Sequence, residues 1–174
     1  MKKLDRKDFD RVYEIMDQSF PRDEIRPYEG QKKLLDIPEY QLFVSEDEDN
    51  QINGFLATWD FDEFVFLEHF AVDPNQRNGG VGRRLLREVI ESFDKMACLE
   101  VELPDCEMSI RRIHFYERNG LFYNEYEYEQ PSIATGRYPI PLRVMTSGRG
   151  VSEEEFQKIR DILYDRVYHV KKEK

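Results

Sequence analysis

Residues 72–86 read Val72-Asp73-Pro74-Asn75-Gln76-Arg77-Asn78-Gly79-Gly80-Val81-Gly82-Arg83-Arg84-Leu85-Leu86. An apolar strand candidate, Phe64 to Val72 (FVFLEHFAV), runs into this segment, and a strong helical pattern leaves it from Val81 to about Met96. Glycine lets backbone N–H groups approach a ligand with no Cβ in the way. The first amides of a helix have no intrahelical acceptor and sit at the positive end of its dipole. A strand-to-helix turn of this make suits a phosphate or pyrophosphate. Arg77, Arg83 and Arg84 add cations around it. A tight turn without a ligand is the plain alternative, and it leaves three glycines and three arginines unexplained.

Outward from this turn the pattern alternates between helix and strand. Upstream, Phe9, Val12, Tyr13, Met16 and Phe20 give Asp5–Phe20 a helical stripe, ended by Pro21 because the residue before a proline leaves the α region. Residues Pro27 to Leu35 read as a short helix. Gln41 to Ser45 and Ile52 to Trp59 read as an antiparallel hairpin around the charged turn 46–50. Downstream come a strand at Ala97–Leu103, a helix at Ser109–Asn119 closed by Gly120, and strands at Leu121–Tyr128 and Leu142–Thr146. Ser152 and Glu155 form a capping box that opens a last helix, striped by Phe156, Ile159, Ile162, Leu163, Val167 and Val170. Such an order describes an α/β domain with a mixed sheet.

The chain has 174 residues, enough for one domain with a real core. Its charge is 26 − 36 = −10. A net acidic protein is a poor binder of nucleic-acid backbones, so no nucleic-acid partner is expected. The acidity is compatible with cationic partners such as amines and equally with a role in solubility alone. No stretch approaches the ~20 apolar residues of a membrane span, and MKKLDRKDF has no apolar run behind its lysines, so neither a membrane nor a secretory signal is expected. Cys98 and Cys106 form no CxxC, and His69, His114 and His169 are dispersed. Reduced thiols, a cytoplasmic location and no metal follow as expectations.

A dinucleotide fingerprint would need a third glycine where Leu85 stands, and no G-K-[ST] is present for a P-loop. Arg77-Asn78-Gly79-Gly80-Val81-Gly82 instead resembles the R/Q-x-x-G-x-G/A motif of the GNAT superfamily of acetyl-CoA-dependent N-acetyltransferases. Phe115-Tyr116-Glu117-Arg118-Asn119-Gly120-Leu121 is similar to that family's L-Y-x-x-x-G-F signature, and the spacing between the blocks suits one helix and one strand. The resemblance covers about Leu42 to Met145.

The resemblance implies a single α/β domain whose central mixed, mostly antiparallel sheet splays between its two middle parallel strands. It assigns residues 1–148 to the N-acetyltransferase domain and 149–174 to a helical extension packed on or near it, equally a candidate homodimer contact. Acetyl-CoA is the implied cosubstrate, with no metal. Its pantetheine would pair with the backbone of Phe70, Ala71 and Val72, and the amides of Asn78, Gly79, Gly80, Val81, Gly82 and Arg83, with Arg77 beside them, would hold the pyrophosphate. An N–H near Val72 would polarise the thioester, and a primary amine of a small molecule or peptide would attack directly.

Tyr116 stands where the family's tyrosine donates a proton to the departing thiolate; the alternative is a core tyrosine. Glu68, a charge inside the most apolar strand, is either the base that deprotonates the amine or the partner of an arginine in an ion pair. His69 is a rival base or a packed histidine. Ser109 stands where the family often has an asparagine that touches pantetheine, and serine is shorter. Glu100 and Glu102 are an acceptor-binding pair or simply a polar sheet face. The aromatic and acidic residues of 122–129, with Tyr138, point to the acceptor side. A non-catalytic acyl-CoA sensor and a nucleotide-binding protein with the same turn are the rival readings.

Overall fold

The computed structural model describes residues 1–76 and 79–170. Seven strands enter one mixed sheet in the order β1-β2-β3-β4-β5-β7-β6: β1 (Lys2–Lys3), β2 (Tyr40–Glu46), β3 (Ile52–Asp60), β4 (Val65–Val72), β5 (Ala97–Glu102), β6 (Leu121–Gln130) and β7 (Ile140–Ser147). Five helices accompany them: α1 (Phe9–Ser19), α2 (Tyr28–Lys33), α3 (Val81–Glu91), α4 (Glu107–Arg118) and α5 (Glu153–Ile162). The α/β class and the mostly antiparallel sheet agree with expectation. The chain divides into two compact units, Met1–Leu99 and Glu100–Lys174.

In the first unit β2, β3 and β4 pair antiparallel, and β4 pairs parallel with β5 through Val65–Ala97, Phe66–Cys98 and Leu67–Leu99. Nearly every residue of β3 is buried, including the polar Asn53 and Thr58. The core holds Phe9, Val12, Ile15 and Met16 of α1, Phe55 and Leu56 of β3, Phe66 of β4, and Leu85, Leu86 and Val89 of α3. Phe20 has left the helical region, as Pro21 requires. Helix α3 stops at Glu91, five residues before the expected Met96, where the Ser92 hydroxyl donates to the Val89 carbonyl at 2.7 Å.

In the second unit β6 and β7 pair antiparallel, with an irregularity between Asn124 and Tyr128. Gly120 takes φ +85° between α4 and β6, as expected. The capping box of α5 is present: Glu155 N–H donates to the Ser152 hydroxyl at 3.2 Å, and Ser152 N–H to Glu155 Oε2 at 2.8 Å. Helix α5 lies against β6, with Phe156 stacked on Tyr126 at 4.9 Å. A π-helical turn, Leu163–Val167, follows it, and His169 adopts φ +53°. Val167 is buried as expected and Tyr168 with it, while Val170, expected on the stripe, lies past the end of the helix and is exposed.

Candidate active site

The glycine turn is anchored before it begins. The Asp73 carboxylate, nearly buried, accepts from Asn75 N–H at 2.8 Å and pairs with Arg11 Nη2. These two partners hold its pKa below the usual carboxylate range, the backbone bond first. Arg11 Nε also donates to the Ile52 carbonyl at 3.2 Å. Asn53 Nδ2 donates to Gln76 Oε1 and Gln76 Nε2 to Asp47 Oδ2, each at 3.1 Å. Helix α1 and the β2–β3 hairpin therefore fix the loop that leaves β4. Arg77 and Asn78 lie outside the described residues.

Two glycines at the start of α3 are required for different reasons. Gly80 is the N-terminal cap with φ +72°, and a Cβ placed there would meet nothing within 4 Å. The backbone there is left-handed and its outer side is open. At Gly82 a Cβ would stand 3.3 Å from Phe70 Cζ and 3.4 Å from Val72 Cγ2, so the first turn of α3 lies close against the end of β4. Gly80, as the cap residue, supplies no side-chain hydrogen bond to the helix. The amides of Val81, Gly82 and Arg83 have no intrahelical acceptor by their position. Arg83 and Arg84 are exposed. This is a donor set for an anion.

Four residues upstream of Val72, strand β4 carries a bulge. Ala57 pairs with His69 and Thr58 with Leu67, leaving Glu68 as the extra residue. Its carboxylate, 2% exposed, makes the ion pair that was one of its two expected roles: Arg26 Nη2 lies 2.8 Å from Oε1. Trp59 Nε1 donates to Oε2 at 3.1 Å. Burial raises the pKa of Glu68, but Arg26 and then His69 outweigh it and bring the value down to about 2. His69 is also buried; its Nε2 lies 2.7 Å from the Glu24 carbonyl and its ring meets Phe20 edge-on. Arg26 and Trp59 were not singled out in the sequence. Arg26 precedes Pro27 in a segment without periodicity, and no local pattern links it to a strand 42 positions later.

In the second unit, Tyr116 is a buried residue of α4 whose hydroxyl has its pKa pushed up to about 12, mainly by burial. It is therefore protonated near neutral pH. Arg112, one turn earlier on α4, pairs with Glu102 of β5, and the two act on Tyr116 in opposite directions. Ser109 is buried and belongs to the cap of α4: its Oγ donates to the Cys106 carbonyl at 2.9 Å, and Cys106 N–H donates to it at 3.2 Å. Helix α4 thus starts two residues earlier than expected, with Cys106 as the capping residue. Cys106 is exposed and Cys98 buried, and both are free thiols. Glu100 accepts from the hydroxyls of Tyr128 and Tyr168. Glu125, Glu127 and Glu129 are exposed on β6. Among the described residues no cluster of three or more His, Cys, Asp or Glu is arranged to hold a metal.

The Acetyltransferase (GNAT) family model matches residues 9–121, well over half of the chain. The chain belongs to the GNAT acetyltransferase family. It is similar to a GNAT-family protein from Bacteroides thetaiotaomicron, with 36% identity, 98% of each chain covered and a TM-score of 0.88. It is 26% identical over 165 residues to YjbC of Bacillus subtilis (strain 168), covering 93% of this chain and 83% of that protein. A variant of the spermidine N-acetyltransferase SpeG from Vibrio cholerae shares the fold at a TM-score of 0.64 and 16% identity, covering 83% of this chain and 90% of its own. In this GNAT protein no helix of the described residues is long and apolar enough to cross a membrane.

Proposed function

We propose that this GNAT protein transfers the acetyl group of acetyl-CoA directly to a primary amine of a small molecule or peptide. The observation that carries this reading is the start of α3: a left-handed Gly80 that offers no capping side chain, and a Gly82 close against the Phe70 and Val72 side chains of β4. The first amides of α3 suit a pyrophosphate, and the outer side of Gly80 leaves room for one. The backbone of Phe70, Ala71 and Val72 is assigned to the pantetheine. Bound acetyl-CoA would supply an acetyl group activated as a thioester.

Tyr116 is the candidate acid. A hydroxyl with a pKa near 12 is protonated at neutral pH and able to protonate a thiolate leaving group. Ser109 contributes through the cap of α4, because its hydroxyl is engaged with Cys106. Cys98 and Cys106 have no part as acyl carriers in this reading. A carboxylate held near a pKa of 2 is a poor resting place for an ammonium proton, so Glu68 contributes a fixed charge here.

The test is calorimetric titration of the full chain with acetyl-CoA, followed by an amine panel with detection of released thiol. Saturable heat and thiol release are the expected result. Gly80→Asp places a carboxylate at the proposed anion site while tolerating left-handed backbone, and it should weaken acetyl-CoA binding by about 10- to 100-fold. Binding without turnover on any amine would favour the sensor reading. No heat at saturating acetyl-CoA would remove both.

A further inference from the structure

Two consecutive residues of β4 are tied to one short segment between α1 and α2. Glu68 pairs with Arg26 at 2.8 Å, and His69 Nε2 lies 2.7 Å from the Glu24 carbonyl. The Arg26 and Glu68 side chains are 8% and 2% exposed. Around them stand neutral groups from four other elements. Trp59 of β3 donates to Glu68 Oε2 at 3.1 Å. Gln31 of α2 places Oε1 3.5 Å from Arg26 Nη1 and donates through Nε2 to the Tyr40 hydroxyl of β2 at 2.8 Å. The Tyr13 hydroxyl of α1 donates to the Arg26 carbonyl at 3.1 Å. His69 Nδ1 lies 3.5 Å from Glu68 Oε2. All of this converges on the bulge, where the strand carries one residue more than its neighbour.

We propose that Arg26 and Glu68 form a buried charge clamp that fixes the path of β4 at its bulge, and that Glu68 is a positioning residue rather than the proton acceptor of the reaction. A proton acceptor must be reachable by the amine or by a water that serves it. Glu68 Oε1 faces the Arg26 guanidinium as an ion pair without a hydrogen bond, Oε2 accepts from Trp59, and the side chain is sealed from solvent. Two residues beyond the bulge begin the backbone groups of Phe70–Val72, and Gly82 lies against the Phe70 and Val72 side chains. A shift of the strand at Glu68 would move those groups. A bulge is the place where a strand has no ladder partner to hold it, so an ion pair there supplies what the ladder does not. The kinetic part of this inference rests on the acetyltransfer reading; the stability part does not.

The cycle Arg26→Met, Glu68→Gln and the double variant tests it on the full chain. Each single change leaves an uncompensated charge or breaks the pair and should lower Tm by about 10 °C. The double variant removes both charges and should recover most of that loss. With an active amine, each single change should lower kcat by about tenfold or more, with recovery in the double variant to within about 3-fold of the native chain and an unchanged acid limb of the pH–rate profile. Acetyl-CoA affinity and kcat should recover together. A double variant that regains its Tm but stays about 100-fold slow, with a lost acid limb, would make Glu68 the base and overturn the clamp. Additive Tm losses would overturn it as well. Should a single variant not fold, Arg26→Lys keeps the charge, and an intermediate Tm supports the clamp while a native Tm counts against a need for the guanidinium fork. If the native chain binds no acetyl-CoA, the functional proposal falls, and the Tm cycle still decides the clamp.

Discussion

Glu68 on β4 and Glu100 on β5 are both carboxylates set among apolar strand residues, yet the two units treat them differently. Glu68 meets a cation: Arg26 and Trp59 surround it, and its pKa falls to about 2. Glu100 meets two phenol hydroxyls, those of Tyr128 and Tyr168. Burial and then the nearby Glu100 charge push the Tyr128 hydroxyl well above its ordinary pKa. One carboxylate is charge-compensated and the other is hydrogen-bonded by neutral donors. Breaking an ion pair strands an opposite charge, whereas removing a carboxylate from two hydroxyls leaves groups that can turn to other acceptors. The same residue type on the same kind of strand therefore carries different energetic weight.

The sharpest way to break this contrast is Glu68→Leu, which leaves Arg26 buried without its counter-charge. It should cost about 3–5 kcal/mol, read as the largest loss in a denaturant-unfolding series. If Glu100→Gln costs as much, the contrast is wrong. Glu100→Gln keeps an acceptor for both hydroxyls and should cost about 1.5–3 kcal/mol. Tyr168→Phe removes one hydroxyl and should cost about 1 kcal/mol in the same assay. Acid titration separates the two sites further. Glu68 has a folded pKa of about 2 against an ordinary value of 4.5, so its contribution is present above about pH 4.5 and fades as pH falls towards 2. Glu68→Gln should flatten the stability-against-pH curve within that window. A native-like slope in the variant would show that other carboxylates carry it.

Much of the fold was legible because its signals are local. Pro21 ends α1, Gly120 takes a positive φ, and Ser152 with Glu155 caps α5, each through chemistry within four residues. Gly80 and Gly82 were also readable as the glycine-bearing start of a helix. What escaped was where a helix begins or ends, or a partner distant in sequence. The last helix ends at Val167 and His169 turns left-handed, so Val170 is exposed against a stripe drawn on to residue 170. Ser109 turned inward to cap α4 because that helix begins two residues earlier than expected, at Glu107, with Cys106 as its cap.

By itself the sequence determined the α/β class, the order of most elements, the glycine turn and the family, because periodicity, turn chemistry and short motifs are written in neighbouring residues. The tertiary structure alone decided what each strand carboxylate does. A charge in a strand acquires its pKa and its energetic role from whichever groups the fold brings within about 3 Å, and Arg26 and Tyr168 reach theirs from 42 and 68 positions away.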